Sequence, residues 1–124
     1  MADDKLKAGD SKRRSVLGNE HVEQSLKNVT EFDADFQNFI TENVWGTVWT
    51  REGLDTKTRH MVTIGILAAA SRIEELALHI RATRNTGISP AEVAEILLQV
   101  AVYAGVPAAN TAYAVAKRVY AGRP

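Results

Sequence analysis

Arg72, Glu75 and His79 are the residues in this chain best suited, by type and spacing, to do chemistry. At about 100° per residue, Glu75 and His79 lie about 40° apart around a helix, and Arg72 and His79 about 20° apart. One helix face then presents a cation, a carboxylate and an imidazole that titrates near neutrality. Such a set holds an anion and moves a proton. The plainer alternative is a solvated face on which Glu75 supports His79 through an i,i+4 pair. Spacing alone favours that plainer face; a helix start just before the trio shifts the balance part of the way back, because free backbone N–H groups there attract anions. His60 precedes His79 by 19 residues, and two antiparallel helices would bring the imidazoles together. The chain has three histidines and neither H-x-x-x-H nor H-E-x-x-H, so no metal is expected. It has no G-x-S-x-G, no glycine-rich phosphate loop and no cysteine, which removes serine-elbow, phosphate-loop and thiol chemistry. Trp45 and Trp49 either line a pocket beside Arg51 or anchor their loop onto the core; anchoring is the commoner use of tryptophan.

The elements that must position these residues read as helices throughout. Residues 1–15 are polar and read as a tail, and the Lys12-Arg13-Arg14 cluster within it as solvated surface. Thr30 followed by Asp33 resembles a helix start, and Phe32, Phe36, Phe39 and Ile40 recur at helical spacing. The spacing predicts a helix over about Glu31 to Val44 that buries this stripe, then a loop between Gly46 and Gly53. Asp55 or Thr56 caps the next helix, along which Met61, Ile64, Gly65 and Ala68 share a side. Ser71-Arg72-Ile73-Glu74 has the form of a capping box, and a restart there is preferred to one long helix. Gly87 stops that helix, and Ser89-Pro90 begins another. The run Val93 to Ala104 is apolar on nearly every side and needs cover all round. Gly105-Val106-Pro107 breaks the chain before a last helix through about Tyr120. No stretch alternates apolar and polar residues, so the fold class is all-α with about five or six helices. The all-round apolar helix is hard to bury in one short chain, which points to a homo-oligomer.

Composition sets further limits. The chain has 124 residues, enough for one domain over 16–124, with 45% hydrophobic and 24% charged residues. Its formal net charge is zero, which argues against nucleic acid as the main partner. The first residues mix acids with bases and lack an apolar run, so no signal peptide is read there. The longest apolar stretch, MVTIGILAAA, is about half of the roughly 20 residues a membrane span needs. A cytoplasmic location is expected, away from membranes.

Certain stretches resemble a known family. These are Val16-Leu17-Gly18 with His21-Val22, Asn28-Val29-Thr30 with Phe32, Phe36-Gln37, Trp45-Gly46 and Trp49-Thr50-Arg51. Thr58-Arg59, Glu74-Glu75-Leu76 with Leu78-His79, and Tyr103-Ala104-Gly105-Val106-Pro107-Ala108-Ala109-Asn110 continue the series. In this order and spacing, from about Arg14 to Tyr120, the chain resembles the decarboxylase branch of the carboxymuconolactone decarboxylase family. The family also holds alkylhydroperoxidase-like members, whose C-x-x-C lies just ahead of a histidine matching His79. Here those cysteine positions fall at Arg72 and Glu75, and the peroxidases' upstream glutamate falls at His60, so dithiol peroxide reduction is unavailable.

The resemblance implies a compact helical subunit of the alkylhydroperoxidase-like type, assembled as a ring, a trimer or hexamer. It implies decarboxylation of gamma-carboxymuconolactone to 3-oxoadipate enol-lactone in aromatic catabolism, without cofactor. The substrate is a lactone with two carboxylates, and its own ring double bond and carbonyl take up the electron pair. The protein then has to hold a dianion, stabilise the developing oxyanion and protonate carbon. Arg51, Arg59 and Arg72 are the candidates for the carboxylates, since a guanidinium pairs with carboxylate at two points. His60 and Trp45 join them as candidate substrate contacts. His79 is the preferred proton donor with Glu75 orienting it, and their roles are exchangeable on sequence grounds. A non-catalytic helical oligomer of the same fold, binding a small acid or a protein, is the alternative.

Overall fold

The computed structural model describes residues 2–122. Met1 and the last two positions of the expected domain lie outside them. The chain divides into two compact units, one through Asp55 and the other from Thr56. No strand occurs among the described residues, which form seven α-helices and one π-helix.

The polar tail expected over residues 1–15 is instead the first helix, α1 (Ala2–Leu17). Asp3 and Asp4 in its first turn and Arg14 in its last complement the helix dipole. Its buried stripe is Gly9, Arg13 and Val16, at i, i+4 and i+7. A glycine and an arginine in that stripe leave no apolar periodicity to read, which is why polarity suggested a tail. The basic cluster is divided rather than solvated. Arg13 is turned inward, 8% exposed, while Arg14 pairs with Asp10 at 2.9 Å and with Glu23 of α2 (Asn19–Lys27) at 2.6 Å.

Thr30 and Asp33 do exchange hydrogen bonds, but around a turn. The Thr30 N–H donates to Asp33 Oδ1 at 2.8 Å, and the Phe32 N–H donates to Thr30 Oγ1 at 3.2 Å. The helix that follows, α3, covers only Ala34–Phe39 and then widens into a π-helix over Ile40–Val48. Gly46, expected to open a loop, lies inside this π-helix and is buried. The predicted aromatic stripe is not buried: Phe32 is 99%, Phe36 60% and Phe39 57% exposed. Burial passes instead to Trp45 and Trp49, which pack with Val16. The wider winding of a π-helix shifts the side-chain register, so the face it buries does not continue the α3 stripe. α1 meets the π-helix through both glycines: a Cβ on Gly9 would stand 1.9 Å from the Thr41 carbonyl oxygen, and one on Gly46 2.2 Å from that of Lys5.

The second unit follows its sequence signals closely. α4 (Thr56–Ala69) and α5 (Ile73–Thr86) are separated by a break at Ser71, as the preferred reading had it. Ser71 does not cap α5, though. It sits at φ 57°, a left-handed conformation costly for a residue with a Cβ, and Arg72 is the N-cap. Gly87 ends α5 at φ 80°. Ser89 and Glu92 form a complete capping box at the start of α6 (Pro90–Tyr103). α7 (Val106–Tyr120) opens at Gly105 with Pro107 in its first turn. Ile64, Ala68, Leu76, Ile80, Val93, Leu97, Ala112 and Val115 form the core. The apolar α6 buries one side, with Val93, Leu97 and Val100, and exposes Leu98, Val102 and Tyr103.

Candidate functional site

The site is built on the hairpin of α4 and α5. His60 stands one turn into α4, and His79 lies midway along α5. Antiparallel packing of the two helices brings His60 Nε2 to 3.1 Å from His79 Nδ1, with the rings edge to face. The other His60 nitrogen, Nδ1, lies 2.6 Å from the hydroxyl of Thr86, at the end of α5. His60 is fully buried and His79 is 6% exposed. Burial pushes the pKa of His60 down to about 4, against a smaller opposing effect of its hydrogen bond with His79. His60 is therefore neutral at physiological pH.

On its other edge, His79 Nε2 lies 4.0 Å from Glu75 Oε2. The Glu75 side chain is 63% exposed, so the carboxylate on this side of the imidazole is open to solvent. Glu74 and Glu75 occupy the first turn of α5, where the helix dipole favours carboxylates. Arg72, exposed at the N-cap, stands at the same end of the helix. Because Arg72 precedes the first helical residue, with φ −87° and ψ 79°, helical spacing alone does not put its side chain on the face of Glu75 and His79.

The expected site residues are thus only partly gathered in this unit. His79, Glu75 and His60 are in one array, and Arg72 is on the same helix end. Arg59 is half-buried on α4, next to His60. His60, expected at the substrate, has no exposed surface and both ring nitrogens engaged, which places it behind His79. Trp45, also expected at the substrate, lies in the first unit. It is 5% exposed and stacks on Trp49 with ring centroids 4.7 Å apart, so it anchors the core of the first unit. Arg51 belongs to that first unit and is exposed in the segment after the π-helix. Thr86 was missed. Its signal was present, since seven residues separate it from His79 and place it about 20° away on the same helix face. A threonine at such a position reads as ordinary, and nothing in the sequence says that His60 reaches it.

The hairpin holds a shielded imidazole with a solvent-exposed carboxylate 4.0 Å from its Nε2, and carries Arg59 and Arg72. The model of the carboxymuconolactone decarboxylase family matches residues 34–118. The chain is 45% identical over 116 residues to the 4-carboxymuconolactone decarboxylase of Acinetobacter baylyi, covering 94% of this chain and 87% of that one. It is 42% identical over 106 residues to the nitrosuccinic acid decarboxylase of Metarhizium robertsii, covering 86% and 74%. An uncharacterized 15.0 kDa protein of Paracoccus denitrificans is 35% identical over 84 residues, covering 66% of this chain and 63% of that protein. The family match takes in the π-helix and all of the α4–α5 hairpin, and the likeness to the Acinetobacter enzyme runs through nearly the whole chain: this protein belongs to the carboxymuconolactone decarboxylase family.

Proposed function

We infer that the chain is a 4-carboxymuconolactone decarboxylase, releasing carbon dioxide from gamma-carboxymuconolactone to give 3-oxoadipate enol-lactone in the beta-ketoadipate pathway. The observation that carries this reading is the 45% identity to an enzyme of that name over 94% of the chain. The array around His79 supplies what the reaction asks of a protein. Breaking the bond to the ring carboxylate leaves an electron pair on the gamma carbon. The pair moves through the ring double bond onto the lactone carbonyl, giving a dienolate. A proton delivered to the carbon beside that carbonyl completes the product. His79 is the donor in this reading, with Glu75 orienting it or resupplying the proton from solvent. Arg72 and Arg59 hold carboxylates, and Arg51 is proposed for the same task.

Since the substrate is its own electron sink, the reaction needs no cofactor. Incubation of the purified protein with gamma-carboxymuconolactone should release carbon dioxide, and turnover should survive a strong chelator and thiol-blocking reagents. Activity lost on dialysis against chelator and restored by zinc or manganese would overturn the cofactor-free reading. No release at all would favour the non-catalytic oligomer.

The proposed assembly is a ring, trimer or hexamer, in the cytoplasm. Support comes from apolar side chains the single chain leaves open: Phe32 at 99%, Tyr103 at 83%, Val102 at 74% and Ile66 at 61% exposure. Apolar surface on this scale marks a contact between chains. No described helix is long and apolar enough to cross a membrane. Light scattering at micromolar concentration should give a mass several times 13.6 kDa. A stable monomer would overturn the assembly.

A further inference from the structure

His60 is neutral and carries one proton for two engaged nitrogens, so its hydrogen bonds run in one of two directions. If Nε2 holds the proton, His60 donates to His79 Nδ1, and the Thr86 hydroxyl donates to His60 Nδ1. His79 Nδ1 is then an acceptor, and His79 cannot become an imidazolium without breaking the contact. If Nδ1 holds the proton, His60 donates to Thr86 Oγ1, and His60 Nε2 accepts from His79 Nδ1–H. His79 can then gain and lose its second proton at Nε2, the edge facing Glu75, while every other bond stays in place. The Thr86 hydroxyl proton has an acceptor in this second arrangement, the Thr83 carbonyl oxygen at 3.5 Å.

We propose that Thr86 and His60 are positioning residues that hold the chain of hydrogen bonds in the second direction, from His79 through His60 to Thr86 and the Thr83 carbonyl, so that His79 delivers its proton only from Nε2. The assignment rests on the reading of His79 as the proton donor. Its geometry is that of a two-bond relay, buried between the imidazoles at 3.1 Å and part-buried from His60 to the hydroxyl at 2.6 Å. The neutrality of His60 is a condition of either direction, since a protonated imidazole accepts at neither nitrogen. In the described contacts the titratable groups facing His79 are Glu75 from its own helix and His60 from α4.

The test joins a spectrum to kinetics. In the full chain labelled with 15N-histidine at pH 7, His60 should show a protonated Nδ1 and a bare Nε2, with His21→Gln simplifying the assignment. Thr86→Val keeps the side-chain shape and removes the acceptor. It should move the His60 proton to Nε2 and lower kcat about 10–100-fold, the scale of one lost buried hydrogen bond, with KM within about twofold. Thr86→Ser should restore both spectrum and rate. A wild-type spectrum with the His60 proton on Nε2 overturns the assignment, even if Thr86→Val fails to fold. So does an unchanged kcat in folded Thr86→Val when His79→Ala is inactive. If His79→Ala itself keeps full activity, the donor reading fails and the relay's role in catalysis fails with it, whatever the spectrum shows.

Discussion

His79→Ala should lower kcat by about 10²–10⁴-fold while leaving the protein folded, the range a positioned general acid contributes. In barrier height that is about 3–5 kcal/mol. His79 is 6% exposed, with its Nδ1 edge against His60 and its Nε2 edge toward Glu75. Such an imidazole is held in place, and its Nε2 edge, toward Glu75, is the one proposed to deliver the proton. Glu75→Gln should also slow turnover, since it keeps the shape and removes the charge. If Glu75 acts through His79, the double mutant should be little slower than His79→Ala, because groups that act as one unit do not add. Steady-state kinetics, with circular dichroism as the folding control, decides the matter. A folded His79→Ala protein with near-wild-type kcat would transfer the donor role to Glu75.

Gly9→Ala should destabilise the protein by about 3 kcal/mol, at the upper end of what overpacking costs. The added Cβ meets the Thr41 carbonyl oxygen at 1.9 Å and the Gly46 nitrogen at 2.8 Å. Both are backbone atoms, so no side-chain rotation relieves the clash, and α1 must lift away from the π-helix. The melting temperature should fall by about 10 °C. Gly46→Ala should behave alike, since its Cβ meets the Lys5 carbonyl oxygen at 2.2 Å. Gly53→Ala is the control: nothing lies within 4 Å of its added Cβ, and stability should hold or rise slightly. Both tryptophans of the chain lie in the core that α1 covers, so tryptophan fluorescence during denaturation reports directly on this contact. A Gly9→Ala protein as stable as wild type would show that α1 does not pack on the π-helix as described.

Much of the second unit was legible in the sequence, because its signals are local. Gly87, Ser89-Pro90 and Gly105-Pro107 act through the backbone conformations and hydrogen bonds of their own few residues, and α5, α6 and α7 end and begin where they dictate. The i,i+4 relation of Glu75 to His79 is likewise a property of one helix, and the absence of cysteine removes thiol chemistry in any fold. The first unit was less legible, because its packing uses residues whose type carries no apolar signal. Gly9 and Gly46 matter for the side chain they lack, and their effect exists only where two backbones meet. The register of the π-helix, which leaves Phe36 and Phe39 exposed and buries Trp45, depends on that same contact. The relay behind His79 was decided in the tertiary structure too. Helical spacing places Thr86 and His79 on one face of α5, but only the antiparallel approach of α4 delivers His60 between them. Its burial there, and hence its neutrality, is a consequence of which helix faces meet, and that is a long-range choice no local pattern encodes.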